Sequence, residues 1–212
     1  MSVFLFSDIP DYHTSKFVSV RDTFDNLTNL LLVVEIINLC GHCRTVNHND
    51  FDFAVYSGAY ARILVKKSDG FFTMSLPFKV IDYGGNVVFN YEDYNKVVNA
   101  EFISMMRNAI GACRDYGYSH EEVIFSLTEN FNLEYREAAN YCDIFTSLIT
   151  DDHGYFRFDD DPDNENGRIH PRYHFDLFYK NSTTIKIGVS QNITAPYFLN
   201  LFDKSVSKYY LV

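Results

Sequence analysis

The sequence predicts an α+β fold, and three observations carry it. A helical stripe runs near the N-terminus, short strand patterns follow with turns too tight for parallel pairing, and a second helical block precedes further alternating strands. The strands are expected to form antiparallel sheets packed against the long N-terminal helix and a central helical cluster. Of 212 residues, 47% are hydrophobic and 17% aromatic, too apolar for a disordered chain. A chain of this size buries a core without needing disulfides or a structural metal. The length predicts a single domain over 1–212, with subregions at 1–92, 93–150 and 151–212.

The elements follow in order. From Lys16, apolar residues fall at Phe17, Val20, Phe24, Leu27, Leu31 and Val34, a spacing of three and four that draws one stripe along a helix. Leu30, Val33 and Ile37 widen that face, and Gly41 supplies the stop. This helix is placed at 14–39. Strand patterns come next at 51–56, 60–67, 71–76, 78–82 and 86–90, with Ser68-Asp69-Gly70 and Gly84-Gly85 as hairpin turns. Turns this short allow only antiparallel pairing, so one meander is expected.

Helical spacing resumes over 93–149. Val97, Val98, Phe102, Met105, Met106, Ile110 and Cys113 keep one face up to Gly117. Ser119 with Glu122 is a capping box that opens a helix to Asn130, and Asn132 is the predicted cap of another reaching Leu148. Strands return at 154–159, 170–180 and 183–190. Thr194-Ala-Pro196 then opens a last helix, with a hydroxyl to cap it and proline in its first turn.

Lys and Arg number 18 against 28 Asp and Glu, a net charge of −10. Proteins that wrap duplex DNA draw most of their affinity from clustered Lys and Arg, so that class is disfavoured while a small phosphate-directed pocket is not. The start of the chain lacks the basic and long apolar stretches of a secretory signal. The most apolar run, 30–39, contains Glu35 and Asn38 and falls far short of the roughly 20 residues of a spanning helix. A soluble, cytoplasmic protein is expected, without a membrane partner and with its four cysteines as thiols.

The most informative segment for chemistry is Ile169-His-Pro-Arg-Tyr-His-Phe-Asp-Leu-Phe-Tyr179. Alternation along a strand sends His170, Arg172, His174 and Asp176 to one face, and Tyr173, Phe175, Leu177 and Tyr179 to the other. Upstream, Tyr155, Arg157 and Asp159 alternate with Phe156 and Phe158, so pairing of the two strands adds Arg157 and Asp159 to the polar face. Two imidazoles can divide general-base and general-acid duties while Arg172 or Arg157 stabilises phosphate charge. Alternatively, His170, His174 and a carboxylate from Asp159 or Asp176 can hold a divalent metal, which the sequence does not require. An antiparallel sheet with one wet face also shows such a row without any chemistry.

The other motifs are weaker. Between those strands, five carboxylates occupy ten residues from Asp159 to Arg168. Asp159, Asp161 and Asp163 imitate the first ligands of an EF-hand, but Asn164 and His170 stand where glycine and the bidentate glutamate belong, so a solvated loop is expected. Cys40-Gly-His-Cys43 is similar to the tetrad of protein disulfide isomerases, yet it closes a helix instead of opening one. With His48 added, Cys40 and Cys43 are similar to a retroviral-type zinc knuckle that carries Phe53 in place of the fourth ligand. The helix pair at 119–130 and 133–145 has the outline of a helix-turn-helix, but its second helix carries Glu134, Glu137 and Asp143, the wrong charge for a groove.

Tyr155-Phe-Arg-Phe-Asp159, the acidic loop, His170-Pro-x-x-His174, a strand ending near Gly188 and the helix start at Thr194-Ala-Pro196 together resemble uncharacterised bacterial families found among toxin-antitoxin and phage-defence genes. The resemblance implies a cellular context and no particular reaction. Two expectations follow. The first is a bacterial defence or toxin-type effector acting on RNA or a nucleotide through His170, His174, Arg157, Arg172, Asp159 and Asp176. The second is a non-catalytic acidic partner, an antitoxin, inhibitor or subunit of a defence or phage complex, with Tyr209 and Tyr210 as interface anchors.

Overall fold

Turns of a few residues between consecutive strands force antiparallel order within hairpins, and longer-range pairings join these into two sheets. The computed structural model describes residues 2–58, 61–151, 154–177, 185–203 and 205–208. Tyr179, Tyr209, Tyr210 and parts of the strands expected at 170–180 and 183–190 lie outside the described residues. The fold is α+β, with antiparallel sheets and six helices among the described residues. Contacts group into two compact units that the chain visits in alternation, Met1–Ser15, Cys40–Leu76 and Gly154–Val212 for the first and Lys16–Leu39 and Pro77–His153 for the second.

The first unit is an eight-stranded sheet. Its strands are β1 (Ser2–Phe6), β2 (Arg44–Thr45), β3 (Phe53–Ser57), β4 (Arg62–Lys67), β5 (Gly70–Ser75), β9 (Phe156–Asp160), β10 (Tyr173–Asp176) and β11 (Lys186–Gly188), in the order β11-β10-β9-β5-β4-β3-β1-β2. Two short helices belong to it, α1 (Asp11–Thr14) and α6 (Ala195–Asn200). Thr194 caps α6 by accepting from the Tyr197 amide, and proline sits in the first turn, as the sequence predicts. One face of the sheet places Leu5, Ala54, Leu64, Phe71 and Phe158 against Phe198 and Leu199 of α6. Burying aromatic side chains of this size is the main force holding the unit together.

The opposite face changes character along its length. One cross-strand row reads Phe6, Phe53, Val65, Phe72, Arg157, Asp176 and Lys186. It is apolar from β1 to β5 and ionic from β9 to β11. The next row reads Lys67, Gly70, Asp159, His174 and Gly188.

The second unit holds α2 (Thr23–Leu39), α3 (Ala100–Tyr116), α4 (His120–Phe131), α5 (Tyr135–Thr150) and a three-stranded sheet of β6 (Lys79–Tyr83), β7 (Asn86–Tyr91) and β8 (Lys96–Val97). Helix α2 is buried on nearly every side, including Leu27, Leu30, Leu31, Val33 and Val34. It is tied to α3 by Glu35, which receives both guanidinium arms of Arg107 at 2.9 and 2.7 Å. No helix among the described residues is long and apolar enough to cross a membrane.

Three expectations about elements are corrected. The helix expected over 14–39 begins at Thr23, because the Asp22 carboxylate accepts from the Asp25 amide at 2.8 Å and caps it there. Val18 upstream is held instead by the buried Asn29 amide, which both accepts from its N–H and donates to its carbonyl. The single meander is two sheets, since Pro77 interrupts the run after β5 and the 78–91 segment starts a separate hairpin. Asn132 does not cap α5; it takes the left-handed conformation that ends α4, with φ at 53°, and α5 starts after Glu134.

Candidate functional site

Pairing of β9 with β10 sets His174 opposite Asp159 and Asp176 opposite Arg157. Alternation then puts all four on the ionic face, joined by Lys186 from β11 and Lys67 from the end of β4. Arg157 is the hub. Its Nη2 donates to Asp176 Oδ2 at 2.7 Å, and its Nε lies 2.7 Å from Asp159 Oδ2. Burial pulls the Arg157 pKa down, but the two carboxylates outweigh that and hold it above its ordinary value. Tyr155, on the same face, has its phenol pushed up to about 12 by burial, against the pull of Arg157 beside it.

His174 is fully buried. Its Nδ1 donates to the Pro171 carbonyl at 2.7 Å, since a carbonyl can only accept. That fixes the tautomer and leaves the Nε2 lone pair to accept from the Lys186 ammonium at 2.7 Å. Lys186 also donates to both oxygens of Asp176, at 3.1 and 3.2 Å. Asp159 Oδ2 and Asp176 Oδ1 stand 3.8 and 3.9 Å from Nε2. Lys67 reaches Asp159 at 3.5 Å and Asp69 at 3.0 Å. Two buried carboxylates are thus matched by three cations whose side chains keep 19 to 27% of their surface in solvent. The carboxylates are the more buried partners and the cations the partly exposed ones.

The other expected residues stand apart from this hub. Arg172 precedes β10, so the pleat does not orient it. Its guanidinium turns to Asp160 at 2.7 Å and lies over the Tyr173 ring, on the side opposite Asp159. His170 donates through Nε2 to Asp161 Oδ2 at 3.0 Å, and its ring meets that of His174 edge-on at 5.0 Å between centroids. Asp161 also accepts from Asn164 and shapes the loop. Lys186, Lys67 and the Pro171 carbonyl were not anticipated. Lys186 joins the site through the pairing of β11 with β10, and Lys67 only through pairing of β5 with β9.

Among the described residues, two groups bring three metal-capable side chains together: Asp159, His174 and Asp176, and Asp161, His170 and His174. In the first, Arg157 and Lys186 already occupy the carboxylate oxygens and Nε2, so a divalent ion needs Lys186 to withdraw. Cys40, Cys43 and His48 belong to neither group. Cys43 closes a 3₁₀ turn, Gly41–Cys43, and burial together with Cys40 and Asp8 raises its thiol pKa. Compared with models of protein families, with curated proteins and with solved structures, the chain matches none.

Proposed function

We propose that the chain is a bacterial defence or toxin-type effector that acts at a phosphate of RNA or of a nucleotide, with the β9–β11 face as its site. The observation supporting this is the Lys186 ammonium bridging a buried, tautomerically fixed imidazole and a carboxylate, beside the partly exposed Arg157 and Lys67. In this reading Arg157 and Lys67 hold the phosphate. Lys186 passes a proton to His174 Nε2, and Asp159 and Asp176 stabilise the imidazolium. The freed amine then takes a proton from the attacking water or ribose hydroxyl; as the new P–O bond forms, the P–O bond to the leaving oxygen breaks, and that oxygen takes a proton from Lys186, which His174 replenishes. Arg157 offsets charge that grows on the phosphoryl oxygens. His170 and Arg172 act at the rim, through Asp161 and Asp160.

The test is toxicity or protection on expression, together with turnover of single-stranded RNA and of ribonucleoside triphosphates. His174→Gln keeps an acceptor for Lys186 and a donor for Pro171 but cannot carry a proton. It is expected to abolish activity with a melting temperature close to that of the parent; Lys186→Gln is expected to abolish activity as well, with some loss of melting temperature because the buried Asp176 then keeps only Arg157 as its cation. Full activity in both variants would overturn the proposal. A second reading, the non-catalytic acidic partner, is favoured by the complete burial of His174. It predicts that neither substitution alters protection and that both lower the melting temperature.

A further inference from the structure

The second unit carries a surface that the chemistry above does not use. On α3, Asn108, Gly111, Ala112 and Asp115 fall at spacings of three and four, and so do Glu122, Phe125, Ser126 and Glu129 on α4. These two faces line one groove of about 440 Å³. Ser126 donates to Asn108 at 2.8 Å and ties its walls together. The lining has three carboxylates, Asp115, Glu122 and Glu129, and no Lys, Arg or His. None of the three forms an ion pair with another described residue. Phe125 stands between Glu122 and Glu129 with 64% of its surface exposed. Opposed to nothing within 4 Å, the Cβ direction of Gly111 leaves room in the α3 wall.

A large aromatic ring left in water within an acid-lined hollow is what a partner's apolar side chain would cover, and the flanking charge specifies the rest of that partner. We propose that the α3–α4 groove binds a cationic segment of a partner protein, with an apolar side chain seated on Phe125 and Gly111 and basic residues on either side of it. Glu122 and Glu129 are seven positions apart, about 10 Å along the helix. Lys or Arg residues seven apart on a partner helix, with the apolar residue between them, reproduce that spacing. Nucleic acid is repelled by the same carboxylates. The inference lies wholly within the second unit and stands whether or not the β9–β11 face is catalytic.

The probe is a fluorescein-labelled helical peptide with Lys seven positions apart around a central Leu, titrated with the full chain and followed by anisotropy. A control peptide carries Glu for each Lys. Saturable binding of the Lys peptide is expected, weakening as salt screens the carboxylates. Phe125→Ala, and separately the pair Glu122→Gln and Glu129→Gln, are each expected to reduce affinity at least about 10-fold. Both sets lie at the surface, so the melting temperature should hold. Absence of saturable binding, equal binding of the Glu peptide, or unchanged affinity in these variants overturns the proposal.

Discussion

Arg157 and Lys67 both reach Asp159, yet they do different work. Arg157 touches two buried carboxylates at 2.7 Å each, whereas Lys67 lies 3.5 Å from one of them and shares its charge with the exposed Asp69. Removing one partner of a buried ion pair strands the other, which costs about 3 to 5 kcal/mol. A solvent-facing pair contributes up to about 1 kcal/mol. Arg157→Met should therefore lower urea-unfolding stability by several-fold more than Lys67→Met, and equal losses would show that Arg157 is not the hub. Asp161 gives a pH signature. Burial raises its pKa, but hydrogen bonds from Asn164 and His170 outweigh that and set it below the usual value. A carboxyl depressed in the folded state adds stability that is fully present above its unfolded value of about 3.9 and is lost as pH falls through the folded value. The melting-temperature gap between the parent and Asp161→Asn should hold at pH 6 and close below about pH 4. A gap that persists in acid would assign Asp161 another role. At this scale, alternation within a strand was readable: it grouped His174 with Asp176 and Arg157 with Asp159. Arg172 escaped because it lies one residue outside β10, where alternation stops applying.

At the scale of elements, the seam between β5 and β9 brings an N-terminal hairpin to the C-terminal strands and so assembles the ionic face. Gly70 sits on that seam, opposite Asp159, with φ at 150°. A Cβ there would lie 2.0 Å from the Phe158 carbonyl oxygen, part of the backbone that cannot yield cheaply. Gly70→Ala is expected to open the β5–β9 pairing, lowering the melting temperature and the amide protection of Phe158 and Asp160, whose N–H groups face β5, while amides of α3 and α5 keep theirs. Unchanged protection at Phe158 would show that the seam tolerates a side chain. The sequence marks Gly70 as a turn residue, and the structure gives it a second duty that only the long-range pairing reveals. Elements with local signals were readable in the same way: the Ser119 cap, the Thr194 cap and the β4–β5 hairpin all arise from neighbouring residues. Strand β1 was not, because Ser-Val-Phe-Leu-Phe has no clean alternation, and its identity as a strand comes from pairing with β3 some fifty residues later. The stripe from Phe17 to Phe24 misled for the opposite reason. Its spacing is helical, but Asp22 offers the backbone a cap that starts the helix later.

Across the whole molecule, sequence order and spatial grouping part ways. The first unit takes its strands from three separated stretches, and the second takes α2 from one stretch and its other elements from another. No cut that follows composition alone can separate them. A fragment of residues 1–92 holds β1 to β5 without β9, so β5 loses its outer neighbour, and it lacks α6, which supplies Phe198 and Leu199 to the core face. It also holds α2 without α3, leaving Glu35 without Arg107 and an almost entirely buried helix without its cover. The complementary fragment, 93–212, keeps α3 to α5 without α2 and β9 to β11 without β5. Because each fragment exposes large apolar faces that the intact chain buries, neither is expected to unfold cooperatively by calorimetry or to give dispersed amide spectra. Mixing them should restore both, since every lost surface has its complement in the other piece. A dispersed spectrum and a sharp transition from 1–92 alone would mean that the β5–β9 seam and the α2–α3 contact are dispensable, and with them the long-range pairing that brings Arg157, Asp159 and His174 beside Lys67.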